Sequence, residues 1–159
     1  MASVTVISVG SLKESYLKQA VSEYKKRLSQ FATVDEVELK EERISNESDK
    51  SEIARALDRE GEKILAAVPK GARIFALCIE GKQYSSEELA SLVGRELDLT
   101  GKIAFIIGSS HGLAPSVKNA ADTRISFSKM TFPHQLVKPM LMEAIYRSFA
   151  ILSGKKYHK

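Results

Sequence analysis

The sequence predicts an α/β fold, a parallel sheet with helices on both faces, in a single domain spanning residues 1–159. Three observations carry this expectation. Strand-type and helix-type periodicities alternate along the whole chain. Two strand segments, around Ile74 and around Ile106, are almost continuously apolar, as in strands covered on both faces. Each of these two runs is stopped by a glycine, Gly81 and Gly108.

Residues 4–9 form a β-branched run that ends at Gly10. Over residues 14–30, Leu17, Val21, Tyr24 and Leu28 recur at three- and four-residue steps, which is a helical stripe. Residues 33–39 return to strand spacing. The polar stretch E-L-K-E-E-R-I-S-N-E-S-D-K reads as a mobile loop. A helix over residues 50–68 turns Ile53, Leu57, Ile64 and Leu65 inward and ends at Pro69 and Gly71. Residues 73–79 are the first apolar run. Ser85 or Ser86 caps a helix reaching Leu97, with Glu88 placed for a capping box. Residues 102–107 are the second apolar run, residues 114–121 a short helix, residues 124–128 a fifth strand, and residues 133–152 the last helix. Ligands of such sheets bind beyond the carboxyl ends of the strands. That directs attention to the segments after Ile79, Ile107 and Phe127.

Composition excludes several classes. No apolar run approaches the roughly 20 residues of a membrane span, and the start lacks the basic segment and cleavage site of a signal peptide. Cys78 is the single cysteine, so no internal disulfide forms, and a cytoplasmic location is expected. No metal is expected. Charge is uneven: residues 124–159 hold seven Lys and Arg against one acid, Glu143, leaving 17 basic and 19 acidic residues elsewhere. The +4 total thus splits into +6 at the end and −2 before it, and such an excess attracts RNA or DNA.

The turn G-S-S-H-G at 108–112 follows a buried strand. It is neither a Walker loop nor a dinucleotide fingerprint. It matches G-x-S-x-G with Ser110 as a nucleophile, and Asp122 followed by His134 or His158 supplies a hydrolase order. The chain is small for that fold and has no second glycine cluster for an oxyanion hole, so a ligand-holding turn is the preferred reading. In the loop S-F-S-K-M-T-F-P-H, backbone groups can address an adenine edge while Phe127, Met130 and Phe132 offer apolar cover; a plain structural loop competes with this reading. Pro133 suits a helix start. His111 reads as solvated and His134 as a local polar contact. His158 and Tyr157 stand in G-K-K-Y-H-K, at a terminus that ordinarily frays. They point to a nucleic-acid contact or to a site completed by a partner, with a disordered basic tail as the alternative. The last helix is apolar over too wide an arc for one packed face, which suits a subunit interface as well as a core. Pro139 inside it removes a backbone hydrogen bond and is expected to kink the first turns.

Taken in order, V-I-S-V-G-S-L-K-E-S-Y-L-K-Q-A-V-S-E-Y-K-K-R-L, D-R-E-G-E-K-I-L, A-L-C-I-E-G-K and F-S-K-M-T-F-P-H-Q-L-V…E-A-I-Y-R-S-F-A-I…G-K-K-Y-H-K resemble the RlmH family of SPOUT methyltransferases over essentially the whole chain. The resemblance implies an α/β sheet whose C-terminal part threads a trefoil knot. It implies S-adenosylmethionine as cofactor and a homodimer. The implied reaction is methylation of N3 of pseudouridine 1915 in 23S ribosomal RNA, on the large ribosomal subunit. Matching motifs places cofactor contacts on Leu77, Gly108, Phe127, Ser128, Lys129, Met130, Thr131 and Phe132. His158 or an adjacent water is then expected to accept the imide proton, with Tyr157 positioning the base and Arg147 binding phosphate or developing carbonyl charge. Four positions depart from the family pattern: Ser109 replaces a second glycine, Lys138 an arginine, Pro139 a small aliphatic and Lys156 a proline. A Cβ at Ser109 is expected to crowd the cofactor or force an unusual φ. A ribosome-associated binding protein without activity is the second reading, and a serine hydrolase the third.

Overall fold

The computed structural model describes residues 1–158. Strands β1 (Ala2–Val9), β2 (Ala32–Leu39), β3 (Arg73–Lys82), β4 (Lys102–Ile107) and β5 (Thr123–Ile125) form one sheet in the order β2-β1-β4-β3-β5, and every pairing is parallel. Helices α1 (Ser15–Leu28), α3 (Ser86–Thr100) and α5 (His134–Leu152) cover one face. Helices α2 (Lys50–Ala67) and α4 (Pro115–Ala120) cover the other. The α/β architecture with both faces buried is as expected. No helix among the described residues is long and apolar enough to cross a membrane.

Strand alternation divides the core. Val4, Val6, Phe75, Ile103 and Phe105 face the three-helix side, where Phe75 and Phe105 stack at 4.7 Å. Ile7, Val9, Ala76 and Ile106 face α2 and α4. Two buried faces therefore explain why β3 and β4 read as continuous apolar runs. Helix starts follow their side chains. Asp49 accepts from the N–H groups of Ser51 and Glu52 at the head of α2, and Ser85 with Glu88 closes the expected capping box on α3.

Some local expectations change. The fifth strand stops at Ile125 instead of running to 128. Ser126 N–H still donates to Lys82 O (2.9 Å), but the Ser126 hydroxyl then donates to Ser128 O and Met130 N–H to the Ser128 hydroxyl, and these local bonds turn the chain away. The 40–49 loop is pinned rather than loose: Ser45 and Asn46 N–H groups donate to Glu52, and Glu42 N–H donates to Glu60. On α2 the buried residues are Ala56, Glu60, Gly61 and Ile64, while Ile53, Leu57 and Leu65 are half-buried. Gly61 sets this rotation, because a Cβ there would stand 3.1 Å from Ser116 Oγ on α4. Pro139 lies inside α5, which continues through it to Leu152.

At the β3–β5 edge, a Cβ on Gly81 would fall 2.7 Å from the Ile125 carbonyl carbon. Gly81→Ala is therefore expected to force the two strands apart and to cost about 1–3 kcal/mol, read as a lower urea midpoint at unchanged slope.

Candidate functional site

A cavity of about 350 Å³ opens at the carboxyl ends of β3, β4 and β5. Its walls come from residues 77–80, 107–113, 125–128 and 130–132, with Lys118 of α4 and His134 and Val137 of α5. The three strand-end segments singled out from the sequence thus meet in one place. Leu77, Gly108, Phe127, Ser128, Met130, Thr131 and Phe132 all line the cavity. Lys129 is exposed and is not among its walls. Apolar side chains dominate, and the N–H groups of Phe127, Ser128, Thr131 and Phe132 have no internal partner among the described residues. The arrangement suits a ligand with a flat ring held by main-chain donors and apolar cover.

The 108–112 turn is built by close backbone contact. A Cβ on Gly108 would lie 2.3 Å from the Gly112 carbonyl oxygen, so glycine is needed there for space; Gly112, at φ +92°, is needed for conformation. Gly112 N–H donates to Ser109 O (2.9 Å) and closes the turn. The side chain at 109 does not strain it, since no non-glycine residue among the described ones has a positive φ. Ser109 is 6% exposed and its hydroxyl faces the Glu60 carboxyl of α2 without closing a hydrogen bond of normal geometry.

Acids ring this turn from behind. The Ser110 hydroxyl donates weakly to Glu41 (3.4 Å), and His111 Nε2 lies 2.8 Å from Glu47. Glu60 is 3% exposed and accepts Glu42 N–H at 2.9 Å. Burial pushes its carboxyl above the usual carboxylate range, and the charges of Glu41 and Glu42 add to this against the Glu42 N–H and the Ser109 hydroxyl. At the cavity mouth Glu80 pairs with Lys118, whose ammonium holds the carboxyl below its usual range. Cys78 lines the wall as a thiol, its pKa pushed up by burial and then by Glu80. No group of His, Cys, Asp and Glu suited to a metal ion occurs among the described residues.

The three expected catalytic residues form a second cluster. Gly154 (φ +76°) and the bonds Gly154 N–H to Ile151 O and Lys155 N–H to Ala150 O fold the chain back at the end of α5. Tyr157 then packs edge-on against Tyr146 (4.8 Å) and under the Arg147 guanidinium (4.7 Å), and its hydroxyl donates to Glu143 (3.2 Å). Burial, followed by Tyr24 and Glu143, pushes the Tyr157 hydroxyl up to about 12, so it is a donor at physiological pH. His158 Nδ1 lies 3.0 Å from an Arg147 N–H group and Nε2 2.7 Å from Glu87. A guanidinium only donates, so Nδ1 accepts and Nε2–H donates to Glu87. Both nitrogens are engaged. Tyr157 and His158 are packed against the rest of the chain.

Neither Arg147, Tyr157 nor His158 lines the cavity. Arg147 lies thirteen residues along α5 from the cavity residue His134, roughly 20 Å along the axis. The basic surplus at this end is also smaller at the surface than in the sequence. Lys138 is 4% exposed and pairs with Glu36 (3.0 Å), and Arg147 pairs with Glu143. Burial opposes the Glu36 charge, but the Lys138 and Lys25 ammonium groups outweigh it and hold the carboxyl low. The hydrolase constellation is not assembled: Ser110 meets Glu41, while Asp122 is taken by Arg73 and by Ile74 N–H. Sequence reading missed Glu60. Its spacing from Ala56 and Ile64, four residues either way, is the available signal that it shares their buried stripe.

A family model described as "Predicted SPOUT methyltransferase" matches residues 2–158. Relatives named ribosomal RNA large subunit methyltransferase H include that of Clostridium novyi, 50% identical over 159 residues, and that of Exiguobacterium sibiricum, 46% identical over 157; each alignment covers 98% of this chain and 99% of the relative. Among solved structures, the SpoU methyltransferase AviRb from Streptomyces viridochromogenes, in complex with the cofactor AdoMet, aligns at a TM-score of 0.48 and 9% identity, over 96% of this chain and 58% of that one. A putative RNA methyltransferase of the TrmH family from Porphyromonas gingivalis aligns at 0.42 and 8%, over 91% and 59%.

Because the Glu60 pKa is raised on folding, its stabilising share is complete below the ordinary value of 4.5 and is lost as pH rises through the folded value. Glu60→Gln does not titrate and keeps an acceptor for Glu42 N–H. Its thermal midpoint is expected to fall less than that of the parent between pH 4.5 and neutrality, in scanning calorimetry across that range.

Proposed function

We propose that this chain, which belongs to the SPOUT methyltransferase family and groups with the ribosomal RNA large subunit methyltransferases H, uses S-adenosylmethionine to methylate N3 of a pseudouridine in the 23S RNA of the large ribosomal subunit. The observation that carries the reading is the convergence of residues 77–80, 107–113 and 125–132 on one cavity. Its size falls in the usual ligand range of about 300–1,000 Å³. Leu77, Phe127, Met130 and Phe132 supply apolar cover for an adenosyl group, and the unpaired N–H groups of the 126–132 loop can meet a ring edge. The 108–112 turn has its space taken by its own backbone, and the Ser109 side chain is buried behind it, which weighs against a cavity blocked by that residue. When bound, the cofactor supplies a methyl carbon activated by a sulfonium. The chain's own task is alignment, which can be worth about 7–11 kcal/mol.

The imide nitrogen must lose a proton, and we assign its acceptance to His158, with Tyr157 and Arg147 fixing the imidazole. As held, His158 has no vacant acceptor nitrogen, so Nδ1 takes a proton only after leaving Arg147. The separation of this cluster from the cavity supports a homodimer in which the tail of a second copy completes the site. Exposed Tyr16, Met130, Leu136 and Met140 supply apolar surface for such contact. The trefoil knot is supported by the path of the chain. It leaves β5 at the sheet edge, yet Gln135 bonds Ser11 O and Lys13 N–H just past β1, and α5 then runs between α1 and α3. A single domain in the cytoplasm accords with these roles.

His158→Ala is expected to lower methyl transfer to assembled ribosomes by about 100-fold or more while leaving cofactor affinity within about twofold. Unchanged turnover removes His158 from the chemistry. Truncation after Ser153 is expected to abolish RNA methylation and spare cofactor binding in calorimetry; loss of both assigns the tail to folding.

A further inference from the structure

We infer that Glu80 and Lys118, at the mouth of the cavity, form a subsite for the zwitterionic amino-acid end of the methyl donor and give the cavity its preference for ligands that carry that end. This rests on the cavity being the cofactor site. Among the described residues, these two are the only Asp, Glu, Lys or Arg side chains in the cavity wall. The rest of the wall is apolar side chain, main chain, hydroxyl, thiol and two imidazoles, and the imidazole of His111 is engaged by Glu47. Such a wall suits an adenosyl group. It offers nothing else for the other half of S-adenosylmethionine, which bears a carboxylate and an ammonium on one carbon. A carboxylate and an ammonium side by side at the mouth are the chemical complement of that end.

Both groups are mounted on fixed backbone. Glu80 belongs to β3 and precedes Gly81, whose backbone lies against Arg124 and Ile125. Lys118 belongs to α4; its N–H donates to Ala114 O, and its carbonyl accepts from the Arg124 side chain (3.1 Å). The Arg124 guanidinium is thus engaged by Lys118 O and by Asn119, and does not compete for the Glu80 carboxylate. The head groups remain open to solvent, with the Glu80 side chain 52% exposed and that of Lys118 27%. An ion pair this accessible contributes little to stability, so a ligand loses little by parting it. Two charge-assisted hydrogen bonds replace it: the Lys118 ammonium donates to the ligand carboxylate, and the ligand ammonium donates to Glu80. A neutral pair receives a neutral zwitterion, which leaves no charge unmatched at the mouth.

Calorimetry with S-adenosylhomocysteine and 5′-methylthioadenosine tests this. Both carry adenosine and an uncharged thioether, and only the first has the amino-acid end. The parent protein is expected to bind S-adenosylhomocysteine at least about tenfold more tightly than 5′-methylthioadenosine. Lys118→Gln and Glu80→Gln are each expected to weaken S-adenosylhomocysteine by about five- to tenfold and to leave 5′-methylthioadenosine within about twofold of the parent. Equal affinity of the parent for the two ligands would overturn the inference. Variants that weaken both ligands alike would also overturn it, because that pattern belongs to a pair that only braces β3 against α4. Parent-like binding of both ligands by both variants would do the same. Glu80 is more than half exposed, so Glu80→Gln decides if Lys118→Gln does not fold. Binding of neither ligand by the parent would instead remove the cofactor reading, and the inference with it.

Discussion

A single backbone contact governs the functional end of this molecule. Gly108 lies so close to the Gly112 carbonyl that no side chain fits between them. The crossing turns the chain sharply after β4 and makes the cavity wall from main chain. It also decides where the intervening side chains go: Ser109 is buried toward α2, while Ser110 and His111 meet Glu41 and Glu47. The loop after β2, distant in sequence, is thereby tied to the strand that ends at the cavity. A parallel sheet brings strand ends together; the glycine contact gives that meeting point its shape.

The second organising element is α5. Its first turn borders the cavity, its middle is buried between α1 and α3, and its last turn reverses the chain so that Tyr157 and His158 lie back against it. Two of the cations it carries have inward duties: Lys138 neutralises Glu36 and Arg147 neutralises Glu143. The helix is thus a structural spine as well as a bearer of site residues. Attraction for a polyanion falls to the remaining exposed lysines and Arg124.

Much of this was legible in the sequence because it depends on period and on glycine. The apolar runs of β3 and β4, the glycine after β4 and the Ser85 cap are local signals that survived folding, whereas β3 runs on through Gly81 to Lys82. The three segments around the cavity were legible because strand ends are where such sheets bind. What stayed hidden depends on contacts between distant residues. No pattern near Lys138 announces Glu36, which lies about a hundred positions away and must be desolvated with it. Glu60 looks like a solvated acid until Gly61 is seen to turn that side of α2 inward. The shortness of β5 follows from serine hydroxyls competing for its backbone, and the order of the 40–49 loop from acids that cap neighbouring N–H groups.

The imidazole at the end of the chain is held shut. One nitrogen receives a guanidinium proton and the other gives its own to Glu87, which leaves nothing to offer an incoming acid. In the proposed reaction, His158 held in this way has no free lone pair for the imide proton. If His158 is the proton acceptor proposed above, competence arises when its Arg147 contact is released, so that encounter itself, rather than the concentration of methyl donor, arms the reaction.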